Sequence, residues 1–215
     1  MKEFGIKLSG VELNKNKINI VYDFITDEEK DLLVEYANNT HMWDRIKFRD
    51  GDFESNNNFW TGRVIEYEDF RFNNKKVANI MLDIRDRCAE IICNTTGVGM
   101  IYPNCLQLVR WLEGNEQQPH ADIGTRDEFK YRDFGSILYI NDDYDGGELY
   151  FPNQGIEYKP KAKSFAFFPG NEEYWHGIKR INKGTRYTIA MFWSFNKDYW
   201  DGFGNYFAID NKFKV

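Results

Sequence analysis

The chain has 215 residues, 42% hydrophobic and 29% charged, which is enough for one folded domain with a substantial core. This composition excludes a disordered or collagen-like chain, and no apolar run reaches the roughly 18 residues of a membrane span. The net charge of −6 argues against nucleic-acid binding, which favours a basic surface.

Two helices are predicted in residues 1–100. Residues 26–29, Thr-Asp-Glu-Glu, form a capping box that opens a helix with Leu32, Leu33 and Tyr36 on one face. Apolar residues then recur at three- and four-residue steps from Val77 to Ile91, which predicts a second helix.

The segment between these helices, residues 44–62, is polar, rich in asparagine and aromatic. Such a composition predicts a mobile loop or an irregular hairpin. We expect it to act as a lid that orders when substrate binds, with Arg49, Phe59 and Trp60 as candidate contacts.

After residue 100 the hydrophobic period changes to two, as is typical of strands. Short β-branched and aromatic runs at 106–111, 136–140, 148–151, 164–168 and 187–193 are separated by turn-forming residues. Because no helical pattern lies between them, the sequence predicts an antiparallel sandwich or jelly roll with two helices packed against it. The fold class is therefore mainly β with α.

The three cysteines, Cys88, Cys93 and Cys105, form no CxxC pair and are odd in number. We expect free thiols rather than a disulfide framework, which favours a reducing, cytoplasmic location. Residues 1–5 show no secretory signal, in agreement with that expectation.

The histidines are scarce and therefore informative. His120 and Asp122 are two residues apart, so on a strand both side chains would face the same side, and His176 precedes the last long strand. Two imidazoles and one carboxylate form the facial triad of non-haem Fe(II) oxygenases. A hydrogen-bonded surface His–Asp pair is the alternative. His41 has no ligand partner nearby in the sequence and is interpreted as a surface or capping residue.

Arg186 begins the last long strand, where an arginine directed into the interior is costly unless it meets an anion. A planar guanidinium is well suited to a carboxylate. The conjunction of this arginine with the two histidines and Asp122 is more specific than the His–Asp pair alone.

The stretch from Gln107 to Phe195 resembles the Fe(II)/2-oxoglutarate-dependent dioxygenases, and within them the stand-alone bacterial and viral prolyl 4-hydroxylases. The motifs that carry the resemblance are Trp111-x-x-Gly114, Pro119-His-Ala-Asp122, Leu138-Tyr-Ile-Asn141, Asp145-Gly-Gly-Glu-Leu-Tyr-Phe-Pro152, His176 and Gly184-Thr-Arg186-Tyr. The resemblance implies a single domain, 1–215, with a double-stranded β-helix core at 101–196. Residues 1–100 would support that core, and 197–215 would be a C-terminal extension.

By the same resemblance, His120, Asp122 and His176 bind Fe(II), while Arg186 and Tyr139 hold the distal carboxylate of 2-oxoglutarate. Thr188 and Trp111 would line the cosubstrate pocket. Two positions depart from the usual pattern: Trp111 stands where many prolyl hydroxylases have tyrosine, and Arg186 where collagen-type enzymes usually have lysine.

The implied activity is O₂-dependent hydroxylation of an unactivated C–H group, with a peptidyl proline as the first choice of substrate. Fe(II), 2-oxoglutarate and O₂ are the implied cofactors, and ascorbate is an additional candidate. The expected partner is a proline-containing protein or peptide, with no nucleic acid, no membrane and no obligatory subunit. Two alternatives remain: the same chemistry on a free amino acid, another small molecule or a nucleobase, and a non-oxidative, cupin-like metal protein. The acidic charge argues against a nucleobase, and Arg186 has no role in a cupin.

Three further features have structural alternatives. Phe168, Trp175 and Phe192 are candidates for an aromatic wall around the metal, or for simple core packing. The charged segment 125–133 would border the pocket entrance, either as a substrate contact or as a solvated connection. Residues 142–147 resemble part of a calcium loop but lack the downstream glutamate, so a tight acidic turn is predicted.

Overall fold

The computed structural model describes residues 11–13, 17–45, 59–124, 130–204 and 206–208. Its N-terminal part contains the elements β1 (Val11–Leu13), β2 (Asn19–Val21), α1 (Asp27–Asn39), α2 (Met42–Arg45), β3 (Val64–Glu66), α3 (Tyr67–Phe70) and α4 (Lys75–Thr96). Most of the predicted lid, including Arg49, lies outside the described residues.

Both predicted helices are confirmed, and side chains cap their N-termini. The Thr26 hydroxyl accepts a hydrogen bond from the Glu29 amide at 3.2 Å, and the Glu29 carboxylate accepts one from the Thr26 amide at 2.9 Å. The reciprocal pair is the predicted capping box, which satisfies two backbone donors at the start of α1. The Asn74 side chain caps α4 by accepting a hydrogen bond from the Val77 amide at 3.1 Å.

Every strand pair in the described part of the chain is antiparallel, as predicted. The remaining strands are β4 (Met100–Trp111), β5 (Gln117–His120), β6 (Phe134–Tyr139), β7 (Asp145–Gly146), β8 (Leu149–Phe151), β9 (Ile156–Tyr158), β10 (Phe165–Pro169), β11 (His176–Ile178), β12 (Ile181–Lys183), β13 (Arg186–Ser194) and β14 (Phe207–Ala208). Short 3-10 turns lie at Glu172–Tyr174 and Lys197–Tyr199. The larger sheet has the order β1-β2-β10-β6-β13-β4-β14, with β3 paired to β4. The smaller sheet has the order β5-β11-β8-β9, and β7 pairs with β12.

The helices cover one face of the larger sheet. Apolar residues of α1 and α4, including Leu33 and Met81, form one buried cluster with Leu108 of β4 and with Ile189 and Met191 of β13. Side chains alternate along a strand, so Arg186, Thr188 and Ala190 face away from the helices, towards the smaller sheet. Arg186 and Thr188, which the motif resemblance assigns to the cosubstrate pocket, therefore lie between the two sheets.

A second apolar cluster joins the two sheets from the inside. Tyr139 and Phe168 of the larger sheet pack with Leu149 and Phe151 of the smaller sheet, and all four are at most 1% exposed. This interior packing closes the sandwich into the jelly roll that the strand pattern predicts.

Two sequence-based expectations need correction or addition. β5 ends at His120, so Asp122 lies just beyond the strand and not on one strand face with His120, because the chain bends there. His176 does not simply precede the last long strand but belongs to its own short strand, β11.

The cysteines Cys88 and Cys93 are buried free thiols, as expected, and Cys105 is a half-buried free thiol. Burial raises the pKa of Cys93 to about 11 and that of Cys105 to about 12. Among the described residues, no helix is long and apolar enough to cross a membrane.

Candidate functional site

Three potential metal ligands meet where β5 and β11 pair. His120 and His176 are direct partners across these strands, and Asp122 follows β5 by two residues. The Asp122 Oδ1 atom lies 3.6 Å from His176 Nε2 and 4.0 Å from His120 Nε2. One ligand atom from each of the three residues lies within 4.8 Å of the others. The structure thus brings together the three residues that the sequence singles out.

Backbone contacts orient both imidazole rings. The Nδ1 atom of His120 lies 3.1 Å from the carbonyl oxygen of Gln118, and that of His176 lies 3.1 Å from the carbonyl oxygen of Tyr174. A carbonyl can only accept, so Nδ1 carries the proton in the neutral ring and Nε2 keeps the lone pair that can bind a metal. Burial and the neighbouring His176 lower the pKa of His120, which favours its neutral, ligating form.

The third ligand residue is prepared for a cation. Asp122 is buried, and its Oδ2 atom has no hydrogen-bond partner among the described residues. A buried carboxylate oxygen is costly unless a donor or a cation satisfies it. Two imidazole nitrogens and one carboxylate fit a divalent transition metal with an open opposite face. The side-chain amide nitrogen of Gln117 lies 3.3 Å from His120 Nε2 and would have to move away for a metal to bind there.

A glycine provides the space for Asp122. A Cβ atom on Gly135 of β6 would lie 1.8 Å from Asp122 Oδ2 and 3.0 Å from the Phe168 ring. Such a separation is far below contact distance, so only glycine allows β6 to pass this close to the carboxylate. Sequence reasoning missed this position, because a glycine inside a strand run gives no sign of what lies against it.

The predicted aromatic wall is found in part. The Phe168 ring centroid lies 4.5 Å from that of His176, and Phe151 adds a second ring at 5.7 Å. Phe192 is half-buried beneath the Arg132 guanidinium, 3.7 Å from its ring centroid. Trp175 follows a 3-10 turn and is 43% exposed. The prediction that it packs in the core is therefore wrong.

Arg186 is the most unusual side chain in the interior. It is fully buried, and none of its three guanidinium nitrogens has a hydrogen-bond partner in the described part of the chain. Its guanidinium carbon lies 4.9 Å from the Tyr139 ring centroid and 5.8 Å from that of Trp111. A buried charge without a counter-ion is strongly unfavourable. The arrangement therefore fits a pocket for an anionic group.

The other predicted pocket residues surround Arg186. Tyr139 is fully buried, its hydroxyl has no partner among the residues described, and burial raises its pKa far above its usual range. Trp111 lies opposite Arg186 in the β4–β13 register and is 3% exposed. Thr188 lies opposite Tyr139 in the β6–β13 register and is also buried. These pocket residues thus fall in one interior region, and the Phe151 and Phe168 rings, which pack in one cluster with Tyr139, connect it to His176.

Sequence reasoning missed one residue of this pocket. The Tyr144 hydroxyl is buried and has no partner among the described residues; burial raises its pKa, and the neighbouring Arg186 partly offsets that rise. Tyr144 lies in the predicted tight turn, where Gly146 and Gly147 adopt φ values of 78° and 68°. The proximity of Tyr144 to the double glycine was the only signal available in the sequence.

The described end of the predicted lid rests on the pocket wall. The ring centroids of Phe59 and Trp60 lie 6.0 and 5.7 Å from that of Trp111. Ordering of residues 44–62 by substrate stays a prediction. Of the charged segment 125–133, the structure describes residues 130–133. Within them, Asp133 accepts a hydrogen bond from the Phe195 amide at 2.7 Å.

Comparison with known families agrees with this geometry. Residues 106–194 match the family model described as the 2OG-Fe(II) oxygenase superfamily. This segment contains both histidines, the aspartate and the arginine of the site, and the resemblance predicted from the motifs is thereby confirmed.

Curated relatives match over a shorter segment. Prolyl 3-hydroxylase 2 of Mus musculus is 32% identical over 76 residues, which cover 33% of this chain and 11% of the relative. Prolyl 3-hydroxylase 1 of Gallus gallus is 34% identical over 71 residues, covering 31% of this chain and 10% of the relative. The chain thus spans about a tenth of the length of these relatives.

Solved structures share the fold over most of the chain. The viral collagen prolyl hydroxylase of Paramecium Bursaria Chlorella virus-1, in its 2OG complex, matches with a TM-score of 0.60 and 15% identity, covering 84% of this chain and 96% of that one. A prolyl hydroxylase of Trichoplax adhaerens, in complex with a hypoxia-inducible-factor peptide fragment, matches with a TM-score of 0.61 and 19% identity, covering 85% of each chain. The fold is the double-stranded β-helix that these proteins share, as predicted.

Proposed function

We propose, from the 2OG-Fe(II) oxygenase sequence at residues 106–194, that this protein is an Fe(II)- and 2-oxoglutarate-dependent dioxygenase that hydroxylates a peptidyl proline. The observation that carries the proposal is the presence in one jelly roll of a His–Asp–His cluster and of a buried guanidinium lacking a counter-ion among the described residues. A metal site alone would suit many proteins. A carboxylate-bearing cosubstrate also requires an anion pocket, whereas a cupin-like metal protein does not require one.

In this proposal His120 and His176 bind Fe(II) through Nε2, and Asp122 binds through a carboxylate oxygen. The Asp122 carboxylate also neutralises one of the two positive charges of Fe(II). The ion in turn satisfies a carboxylate whose Oδ2 atom has no partner in the described structure. The backbone carbonyls that hold both Nδ1 protons fix the ring orientation. His176 is therefore already oriented to bind the ion, whereas His120 also requires the Gln117 amide to move away from its Nε2 atom.

Arg186 and Tyr139 are proposed to bind the distal carboxylate of 2-oxoglutarate. A charge-assisted bond from the guanidinium and a phenolic O–H would satisfy donors that have no acceptor among the described residues. Thr188 and Trp111 would line the same pocket, on strands β13 and β4. Phe168 and Phe151 would limit water around His176.

When bound, Fe(II) and 2-oxoglutarate supply O₂-dependent oxidation, in which a substrate C–H becomes C–OH while 2-oxoglutarate becomes succinate and CO₂. The residues of this chain bind the two groups, orient them and keep the site dry. Ascorbate would serve only to keep the iron reduced.

A proline-containing protein or peptide is the proposed substrate, with no obligatory subunit. The support is that curated relatives at the sequence level and neighbours at the fold level are prolyl hydroxylases. Hydroxylation at C4 follows from the motif resemblance described above. C3 is the alternative, favoured by the names of the matched relatives.

The experiment is mass spectrometry of proline-rich peptides and lysate proteins incubated with the Fe(II)-loaded protein, O₂ and 2-oxoglutarate. We expect a gain of one oxygen on proline that requires 2-oxoglutarate and is lost in His176→Ala. Separation of hydroxyproline isomers after hydrolysis then distinguishes C4 from C3. Succinate formation stimulated by a free amino acid, without oxygen gain in any peptide, would replace the peptide substrate by a small molecule.

A further inference from the structure

We propose that the Tyr144 hydroxyl is a third donor to the anion held by Arg186 and Tyr139. The distal carboxylate of the cosubstrate would then be bound by one guanidinium and two phenols. This inference rests on the proposed function, in which that anion belongs to 2-oxoglutarate.

The first argument is the absence of an acceptor. Within the described residues, the hydroxyls of Tyr139 and Tyr144 and all three guanidinium nitrogens of Arg186 are buried without a hydrogen-bond partner. A guanidinium offers five N–H donors and no acceptor, so it cannot accept the proton of either phenol. Three groups that all need an acceptor are thus gathered in one place. A ligand that only accepts, such as a carboxylate, satisfies all of them.

The second argument is that Tyr144 is packed beside Arg186. A Cβ atom on Gly147 would lie 3.0 Å from Tyr144 Cε2 and 3.2 Å from Arg186 Cδ, so both side chains border the same glycine. Tyr144 also belongs to the buried cluster that contains Trp111 and Ile181. Its ring is therefore held next to the guanidinium by packing.

The third argument is charge. Burial raises the pKa of Tyr144, and the positive charge of Arg186 only partly offsets that effect, so the hydroxyl stays protonated and can donate. Lys159 Nζ lies 5.1 Å from the Tyr144 ring centroid, but it is paired with Glu148 at 3.5 Å. Arg186, which has no hydrogen-bond partner among the described residues, is thus the charge beside Tyr144 that favours an anionic ligand over a cationic one.

The test is calorimetric titration of 2-oxoglutarate into the Mn(II)-loaded protein, which reports binding without turnover. We expect Tyr144→Phe to weaken 2-oxoglutarate binding about 10- to 100-fold, the effect of losing one hydrogen bond to a charged group. Its Mn(II) affinity should match wild type. Its melting temperature without ligand should equal or exceed wild type, because a buried hydroxyl without a protein acceptor is removed.

Tyr158→Phe is the matched control. The Tyr158 hydroxyl donates to the Ser164 hydroxyl at 2.8 Å, so its partner is part of the protein. We expect this variant to lower the melting temperature and to leave 2-oxoglutarate binding unchanged. The two tyrosines thus predict opposite patterns.

The outcomes separate this inference from the function. Wild-type affinity in Tyr144→Phe, with binding lost in Arg186→Met, would overturn the role of Tyr144 and leave the function standing. A lower melting temperature with unchanged affinity, the pattern expected of the control, would show that the hydroxyl is structural and would also overturn it. No 2-oxoglutarate binding by the wild type would overturn the proposed function itself.

Discussion

Gly135 shows how one missing side chain positions a metal ligand. A Cβ atom there would lie 1.8 Å from Asp122 Oδ2, so alanine must displace the carboxylate or shift β6. We expect Gly135→Ala to weaken divalent-metal binding by about 10- to 100-fold or more, the range seen when the support of a ligand is disturbed. Titration with Mn(II) measures the change.

The matched control is Gly99→Ala, because a Cβ atom at Gly99 has nothing within 4 Å. This variant should bind Mn(II) like the wild type. Equal affinities for both alanine variants would contradict the placement of Asp122 against β6.

Arg186 carries an opposite pair of expectations for binding and for stability. Arg186→Met should weaken 2-oxoglutarate binding by about 2–5 kcal/mol, or about 30- to 4000-fold, because the carboxylate loses its charged partner. The free energy of unfolding without ligand should not fall, because a buried charge that has no counter-ion in the described structure is removed. Calorimetry and urea unfolding measure the two effects.

The contribution of Tyr139 should overlap with that of Arg186. Tyr139→Phe is expected to cost about 1.5–3 kcal/mol of 2-oxoglutarate binding, since a bond to a charged group is lost. Both residues act on one carboxylate, so the double variant should lose less than the sum. Unchanged affinity in Arg186→Met would rule out this arginine as the cosubstrate anchor.

The residues predicted from sequence were those with rare types or recognisable motifs. Three histidines in the chain made His120 and His176 informative, and the motif order drew attention to Arg186. Tyr144 gave no comparable signal, because it is one of 13 tyrosines and its role depends on what packs around it. Burial without a partner is a property of the folded chain that no local pattern contains.

Among the elements, α4 is tied to the C-terminal segment by a buried ion pair. The Arg85 side chain is fully buried, its Nη1 atom lies 3.3 Å from an Asp201 oxygen, and its Nη2 atom donates to the Phe203 carbonyl at 2.7 Å. Asp201→Asn should lower the free energy of unfolding by about 1.5–3 kcal/mol, because the buried guanidinium loses one charged hydrogen-bond partner and keeps only Asp86 as a carboxylate partner. Urea unfolding measures this loss.

An exposed ion pair provides the comparison. Lys179 and Glu157 form a pair in which both side chains are about half exposed. Glu157→Gln should cost less than about 1 kcal/mol, because water and salt screen such pairs. If Asp201→Asn cost no more than this, the Arg85 pair would not hold the C-terminal segment to α4.

Long elements with a clear hydrophobic period were predictable, and short ones were not. The pattern from Val77 to Ile91 marked α4, and the run at 187–193 marked β13. The strands β5 and β11 have only four and three residues. These two strands are defined by their pairing with each other, because three or four residues are too few to show a hydrophobic period. The two histidines lie on these short strands, so their partnership was predicted from motifs and not from strand pattern.

At the scale of the whole molecule, stability and chemistry are assigned to opposite faces of one sheet. The helices and the face of β13 that carries Ile189 and Met191 form the large apolar core. The other face carries Arg186 and Thr188, whose burial does not serve apolar packing. The alternating side chains of a single strand thus separate the core from the pocket.

The central claim is that one interior site holds Fe(II) through His120, Asp122 and His176 and the cosubstrate through Arg186. Visible absorption under anaerobic conditions tests it directly, because 2-oxoglutarate chelated to Fe(II) gives a weak charge-transfer band. We predict the band in the wild type, its loss in His176→Ala, and its appearance only at higher 2-oxoglutarate concentration in Arg186→Met. A wild-type protein without the band, or an unchanged band in His176→Ala, would contradict the account.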